Sequence, residues 1–335
     1  MRIGNREIDS LHPPFIVAEI SGNHGGSLFR AKELIKAAKR AGADAVKTQC
    51  YEPDTITLNE NKPDFIIQGG LWAGRTLYEL YKTAYTPFAW HPPLYRVARE
   101  QEITIFSSVF DYSSIALLEK LGCPAYKIAS MEIVDTPLIR QAAATNKPVI
   151  ISTGMASTRE IRDADAAVGM DHAAAFLHCT SEYPATPERA ELCGISSMMT
   201  HLPHREIGIS DHTIGPIVPI AATALGATII EKHIRLNDDS SSEDASFSLD
   251  ERQFAEMVGL VRTTWEAMKG QETDHNPSRQ LRRSLYAVAD IAEGEPFTEV
   301  NIRSIRPGYG MPPKALPGLL GKKAKHDFKR GDRIR

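Results

Sequence analysis

Residues 206–233 read EIGISDHTIGPIVPIAATALGATIIEKH. Two short apolar runs, EIGISDH (206–212) and TIIEKH (228–233), flank an apolar stretch of helical length, Pro216–Leu225, which Gly226 closes. The unit reads strand–helix–strand, and a crossover helix between two continuous apolar strands makes those strands parallel. Each run ends on polar side chains, Asp211 and His212 in the first, Glu231 and His233 in the second.

The same unit recurs upstream. FIVAE, ADAVK, ITIFSS, AYK, VIIST and AAFLHC end at Glu19, Lys47, Ser108, Lys127, Ser152 and His178. Helix candidates are Leu28–Ala41, Phe88–Gln101, Ser113–Leu121, Pro137–Thr145, Thr158–Val168 and, after the eighth run, Asp250–Lys269. Several open on Ser, Thr, Asp or Pro, as helix caps and first turns prefer, and Gly42 and Gly122 stand where C-caps belong. Eight such units over about 250 residues predict an α/β fold, a (β/α)8 TIM barrel, with its active site at the C-terminal strand ends. The stretch Glu52–Thr86 breaks the rhythm and reads as an insertion after strand two, on the face that serves the site.

Beyond the barrel, expected over 1–269, GQETDHNPSRQ (270–280) is polar, without apolar period, and reads as a linker. Residues 281–335 change style to short strands, Gly turns and prolines, a small β-rich domain. AVADIAEGEPF (287–297) matches AKHDFKRGDRI (324–334) as A-x-x-D-apolar-x-x-G-acidic-x-apolar, a weak repeat of strand and Gly turn. A module this short is marginal alone and is expected to pack on the barrel or on a second subunit.

The 335 residues are 42% hydrophobic and 24% charged, ordinary values for a soluble protein. No run approaches the ~20 apolar residues of a membrane helix. The start, MRIGNREIDSLHPPF, lacks a signal-peptide core, so a cytoplasmic location is expected. Cys50, Cys123, Cys179 and Cys193 have no metal-ligand spacing and read as buried free thiols. Residues 279–335 hold 13 Lys and Arg against 6 Asp and Glu, leaving 26 against 36 in the first 278 residues. Electrostatic docking of the two parts and plain solubility both account for this asymmetry. A nucleic-acid arm does not fit, because the basic residues are interleaved with strand and turn sequence.

Residues two apart on a strand share a face. Ser210 points with His212, Glu231 with His233, and Lys47 with Gln49, toward the mouth of the barrel. Single core histidines are commoner than ligands. The matching position at two successive strand ends favours His212 and His233 as ligands of one divalent metal, and does not choose among Mn, Zn, Fe and Co. Lys47 and Lys127 are open to two readings: an ion pair with Glu19, Glu132 or Asp211, or an anion site completed by the hydroxyls of Ser108, Ser152, Thr153, Ser181 and Ser210. Glu19, Glu132 and Asp244 are the carboxylates available for proton transfer. Asp244 falls in NDDSSSEDAS, a candidate lid. Trp72, in GGLW, reads equally as packing.

FIVAEISGNHGG, GADAVKTQ, AYKIAS, ISTGMAS, HCTSEYP, GISDHT and GATIIEKH, in this order, resemble the sialic acid synthase family. RRSLYAVADIAEGE with IRPGYGMPP resembles its C-terminal antifreeze-like (SAF) domain, and DFIIQGGLWAGRTLYELYKTAYTPFAWH and SEDASFSLD resemble its pseudaminate branch. The resemblance implies condensation of phosphoenolpyruvate with an open-chain N-acetylated amino sugar, a diacetamido-trideoxy-L-altrose in that branch, releasing phosphate by C–O cleavage. It implies a metal, usually Mn2+, on His212 and His233. It implies phosphoenolpyruvate on Lys47, Lys127, Ser108, Ser152, Ser181 and Ser210, and Glu19 taking the proton of the attacking water. Gln49, Glu132, Tyr183 and Asp244 would contact the sugar or metal-bound water. Arg306 would reach the sugar acetamido group from the small domain of the partner, in a domain-swapped homodimer. Three positions depart from the family pattern: Ser181 replaces Asn, Ser108-Val109 replaces Thr/Ser-Pro, and Ile234 stands where an aromatic often follows the metal histidine. Rival readings are N-acetylneuraminate or legionaminate synthesis on the same barrel, another metal-dependent barrel enzyme such as an aldolase, and a non-catalytic sugar-binding protein.

Overall fold

A computed structural model describes residues 1–237, 239, 241–269 and 277–335. The chain divides into two compact units, Met1–Lys269 and Gly270–Arg335. In the first, after a small hairpin of Arg2–Ile3 with Arg6–Glu7, eight parallel strands form a closed barrel. They are β1 (Phe15–Glu19), β2 (Ala45–Cys50), β3 (Thr104–Val109), β4 (Tyr126–Ile128), β5 (Val149–Ser152), β6 (Ala174–Cys179), β7 (Glu206–Asp211) and β8 (Ile229–His233). Strand β8 closes on β1, with Ile229 opposite Phe15 and His233 opposite Glu19.

Eight helices alternate with the strands: α1 (Leu28–Arg40), α2 (His91–Glu100), α3 (Tyr112–Leu121), α4 (Thr136–Ala143), α5 (Thr158–Val168), α6 (Cys193–His201), α7 (Ile217–Ala224) and α8 (Glu251–Met268). Their starts are set by capping side chains: Asp111, Ser157 and Asp250 each accept from a backbone N–H three residues on, in capping boxes. In α1, Ala31, Leu34, Ile35 and Ala38 are fully buried, the apolar stripe of an outer-ring helix. The stretch 88–101 begins as a 3-10 turn, Phe88–Trp90, before α2 proper. Helix α6 has no forecast in the sequence, since CGISSMMTH is poor in strong helix formers. Gly194 is nevertheless required there, because a Cβ would meet the His178 ring at 2.5 Å.

The insertion after β2 contains the helix Leu77–Ala84 and an isolated bridge, Ile66 to Thr76. Cys50, Cys123 and Cys179 are buried free thiols, whereas Cys193, expected to be buried, is exposed on the first turn of α6.

In the second unit, β9 (Ser284–Ala287) pairs antiparallel with β10 (Ile302–Ile305) over a core that includes Leu285, Ile291, Phe297, Ile302, Phe328 and Ile334. The repeat is a structural one. Ile291 and Phe328 exchange backbone hydrogen bonds with each other. Gly294 N–H donates to Ala324 O as Gly331 N–H donates to Ala287 O, and Ala324 N–H donates to Glu295 O as Ala287 N–H donates to Asp332 O. The aspartates match as well: Asp290 accepts from Arg330 N–H and Asp327 from Glu293 N–H. Of the linker sequence, residues 270–276 lie outside the described residues, and Pro277–Leu281 form a 3-10 turn. Among the described residues no helix is long and apolar enough to cross a membrane.

Candidate active site

Strand register lays the polar strand ends side by side. Glu19 faces Lys47, Gln49 faces Ser108, and Ser108 faces Lys127 on the next strand. The barrel's C-terminal end opens into a cavity of about 180 Å3. Glu19, Lys47, Gln49, Ser108, Lys127, Ser152, Tyr183, Ser210, His212, His233 and Asp244 all line it. A larger hollow of about 410 Å3 between α5 and α6 takes in Thr153 and His178, but neither lysine and neither His212 nor His233. Thr153 turns away from the strand-end group, donating to Leu177 O. Asp211 also points outward, where it pairs with the buried Lys232.

The floor of the cavity joins two lysines to two carboxylates. Lys47 forms an ion pair with Glu19 and donates to Ser108 Oγ at 3.1 Å. Lys127 donates to Ser152 Oγ at 2.7 Å. Glu231 lies between them, its Oε1 3.4 Å from Lys47 Nζ and 3.7 Å from Lys127 Nζ, and accepts from Ser210 Oγ at 2.9 Å. Both readings of the lysines thus meet: they are paired, and they are ringed by hydroxyls. Burial raises the Glu19 carboxyl above its ordinary value, against the pull of Lys47. Burial would lower Lys47, but Glu19 and Glu231 outweigh it and hold its ammonium up. Burial lowers Lys127, against Glu231. Glu231 stays below the usual range because the two lysines overcome its burial.

One wall carries the two imidazoles, 5.4 Å apart between ring centres. The Thr180 carbonyl, 2.9 Å from His212 Nδ1, can only accept, so Nδ1 carries the proton and Nε2 is left to ligate. His233 is buried, which keeps it neutral and well below its ordinary value. Its Nδ1 has no hydrogen-bond partner and lies 3.7 Å from Asp244 Oδ2. The described residues include no group of three or more His, Cys, Asp or Glu placed around one ion. What speaks for a divalent ion is the donor set itself: His212 Nε2 left open by the bond of Nδ1 to Thr180 O, and a neutral, buried His233 whose Nδ1 has no partner, would suit two-imidazole ligation.

The turn after β1 links this wall to the floor. Ser21 adopts the left-handed φ of 32°, and its N–H donates to Glu19 Oε1 at 2.6 Å. Gly22 N–H donates to Asp244 Oδ2 at 3.1 Å. Burial raises the Asp244 carboxyl, against a hydrogen bond from Ser21.

Three expected site residues lie apart from the cavity lining. Glu132 is half-buried, but its Oε2 is enclosed and unbonded, and burial lifts its carboxyl to about 7 against the attraction of Lys127. Ser181 Oγ is buried, without a partner, against Gly154. Arg306 is exposed on the second unit, next to Pro307. Conversely Ser21, Ser130, Glu231 and Glu243 line the cavity, as do Leu80, Tyr81 and Ala84 of the insertion. Glu231 was signalled by its parity with His233; Ser130 and the insertion residues carried no such signal.

The NeuB family profile matches residues 34–273, and that of the SAF domain residues 282–335. The chain belongs to the NeuB family. A pseudaminic acid synthase of Campylobacter jejuni is 44% identical over all of this NeuB-family chain and 98% of its own length. One from Helicobacter pylori is 44% identical over 94% of both chains. The crystal structure of an N-acetylneuraminic acid synthetase from Leptospira borgpetersenii superposes with a TM-score of 0.75 at 30% identity, covering 84% of this chain and 93% of that one. The family membership implied by the strand-end motifs is thereby shown, and the barrel with a C-terminal SAF domain is the NeuB architecture observed here.

Proposed function

We propose that this chain is a pseudaminic acid synthase, joining phosphoenolpyruvate to 2,4-diacetamido-2,4,6-trideoxy-L-altrose and releasing phosphate. The observation that carries the reading is the buried Lys47–Glu231–Lys127 group, ringed by serine hydroxyls, beside the two imidazoles. Two ammonium groups with neutral donors suit the phosphate and carboxylate of phosphoenolpyruvate. Ser108, Ser152 and Ser210 complete that cradle. His212 and His233 would hold the divalent ion, Mn2+ in this reading, which when bound supplies a Lewis acid for the sugar aldehyde.

The methylene carbon of phosphoenolpyruvate attacks the aldehyde carbon and forms the new C–C bond. The aldehyde oxygen takes a proton from Asp244, the cavity carboxyl whose hold on a proton burial strengthens. Water adds to the resulting oxocarbenium carbon and gives its proton to Glu19, whose raised basicity suits that task. The new hydroxyl oxygen closes to the ketone as the C–O bond to phosphate breaks, and both the electron pair of that bond and the hydroxyl's proton leave with phosphate. Gln49, Tyr183 and Asp244, which line the cavity, position the sugar. Arg306 contacts its acetamido group from a second copy, in a cytoplasmic, domain-swapped homodimer. Exposed apolar side chains on the loops after β4, β5 and β7, namely Met131, Met155 and Ile214, support a covering surface on that face.

The test is phosphate release from phosphoenolpyruvate with Mn2+, comparing the altrose sugar with N-acetylmannosamine. Turnover is expected with the altrose sugar, lost on chelation and restored by Mn2+. Turnover with N-acetylmannosamine alone would overturn the substrate, and silence with both sugars would overturn the enzymatic reading.

A further inference from the structure

Two segments far apart in sequence, GGLWAGR (69–75) and SEDAS (242–246), are clasped together over the cavity. Glu243 accepts from Arg75 Nη1 at 2.8 and 2.9 Å, from Trp72 Nε1 at 3.1 Å and from Thr83 Oγ1 at 2.9 Å. Its carboxylate thus ties the insertion's loop, the insertion's helix and the loop after β8 to one point. Gly22 permits the approach: a Cβ there would meet Glu243 Cβ at 3.3 Å and Ala84 Cβ at 3.4 Å. The clasp also aims a ring. The Trp72 ring is tilted at 50° to that of Tyr183, with centres 5.8 Å apart, and the Tyr183 ring centre lies 4.3 Å from that of His212.

The cavity has a chemical gradient as a result. Its floor is charged and hydroxylic, from Glu19 to Glu231. The insertion gives the cavity Trp72, Leu80, Tyr81 and Ala84. A hydroxyl of the sugar placed against Trp72, Leu80 and Ala84 would lose water without gaining a partner from them, whereas a methyl group would gain contact, and only the Tyr81 phenol offers this part of the wall a polar group.

We propose that the Trp72–Arg75–Glu243 clasp makes the insertion the sugar-selecting wall, which takes a deoxy methyl terminus in preference to a hydroxymethyl one. This rests on the sugar-condensing reading above. Trp72 supplies the contact surface, and Arg75 and Glu243 are positioning residues. An apolar pocket discriminates against an added hydroxyl by roughly a hundredfold at most.

The experiment compares kcat/KM for the altrose substrate with kcat/KM for its 6-hydroxy analogue, identical but for one oxygen, in the full-length Mn2+ enzyme. Trp72→Ala is expected to cut the wild-type preference roughly tenfold, by raising sugar KM more than it lowers kcat, with phosphoenolpyruvate KM unchanged. Arg75→Ala should shift the ratio in the same direction, and Arg75→Lys should restore it only in part, because one ammonium cannot hold Glu243 and also reach Glu79 O and Thr83 Oγ1 as the second guanidinium nitrogen does. An active Trp72→Ala enzyme with an unaltered preference would overturn the wall. Equal damage to both substrates' KM would also overturn it, in favour of a scaffold role. Wild-type enzyme inactive on both altrose sugars but active on N-acetylmannosamine would instead sink the substrate reading.

Discussion

Glu132 makes the clearest demand on pH of any single side chain. Its carboxyl is lifted to about 7 by burial, against the pull of Lys127 and with a small push from Asp135. The unfolded chain ionises it near the ordinary glutamate range of about 4.3. The folded protein therefore binds this proton more tightly than the unfolded one, and stability falls as pH rises from about 4.3 to about 7. At about 1.4 kcal/mol per pH unit the loss is on the order of 4 kcal/mol. Glu132→Gln removes it. The variant should gain stability over wild type between pH 5 and pH 8, read from denaturant midpoints, and an advantage of equal size at both pH values would refute the assignment. At this scale Glu19, Lys47, Lys127, His212 and His233 are legible in the sequence, because strand parity alone turns them inward. The part played by Glu231 is not, because its place between two lysines depends on how closure sets β8 against strands two and four positions away. Ser181 misleads for a related reason: it follows β6 rather than lying in it, so parity does not govern where its hydroxyl goes.

Elements inherit such constraints as backbone contacts. Gly208 sits inside β7, where glycine is normally a weakness. A Cβ there would meet Ile229 O at 2.5 Å, Leu177 Cδ2 at 2.7 Å and Ile229 Cβ at 2.8 Å. One of these is a carbonyl oxygen fixed by the barrel ladder and unable to swing aside. Gly208→Ala should therefore cost more than the ~1–3 kcal/mol typical of overpacking and should loosen β7 against β8, carrying Ser210 and His212 with it. The check is thermal unfolding together with Mn2+ binding: a variant of unchanged Tm would show that the strands can part. Elements of strong period and clear caps are readable to the residue, as Thr158–Val168 is, with its Ser157 capping box. Elements whose residues are chosen for a neighbour are not. Helix α6 keeps Gly194 for the His178 ring, and the insertion's helix Leu77–Ala84 buries only Leu80, leaving too narrow an apolar stripe to read.

At the scale of the whole molecule each unit carries its own core. The barrel's apolar cluster runs from Ile3 to Val261, and the second unit's from Leu285 to Ile334, with no residue in common. Barrel closure through β8 and β1 uses only residues of the first unit. A chain ending at Lys269 thus retains every strand pair of the barrel, the lysine–carboxylate floor and both imidazoles. It should fold, with a cooperative thermal transition, and should still bind phosphoenolpyruvate. It should lose turnover, since the proposed sugar contact of Arg306 goes with the removed residues, as does the proposed cover that would keep bulk water from the reacting carbons. Arg306→Ala in the full chain separates these two effects: sugar KM should rise while phosphoenolpyruvate KM stays put. Sedimentation should give a monomer for the truncated chain and the proposed dimer for the full one. A truncated monomer that still condenses the sugar would show that the barrel works alone and that the second unit serves some end other than catalysis.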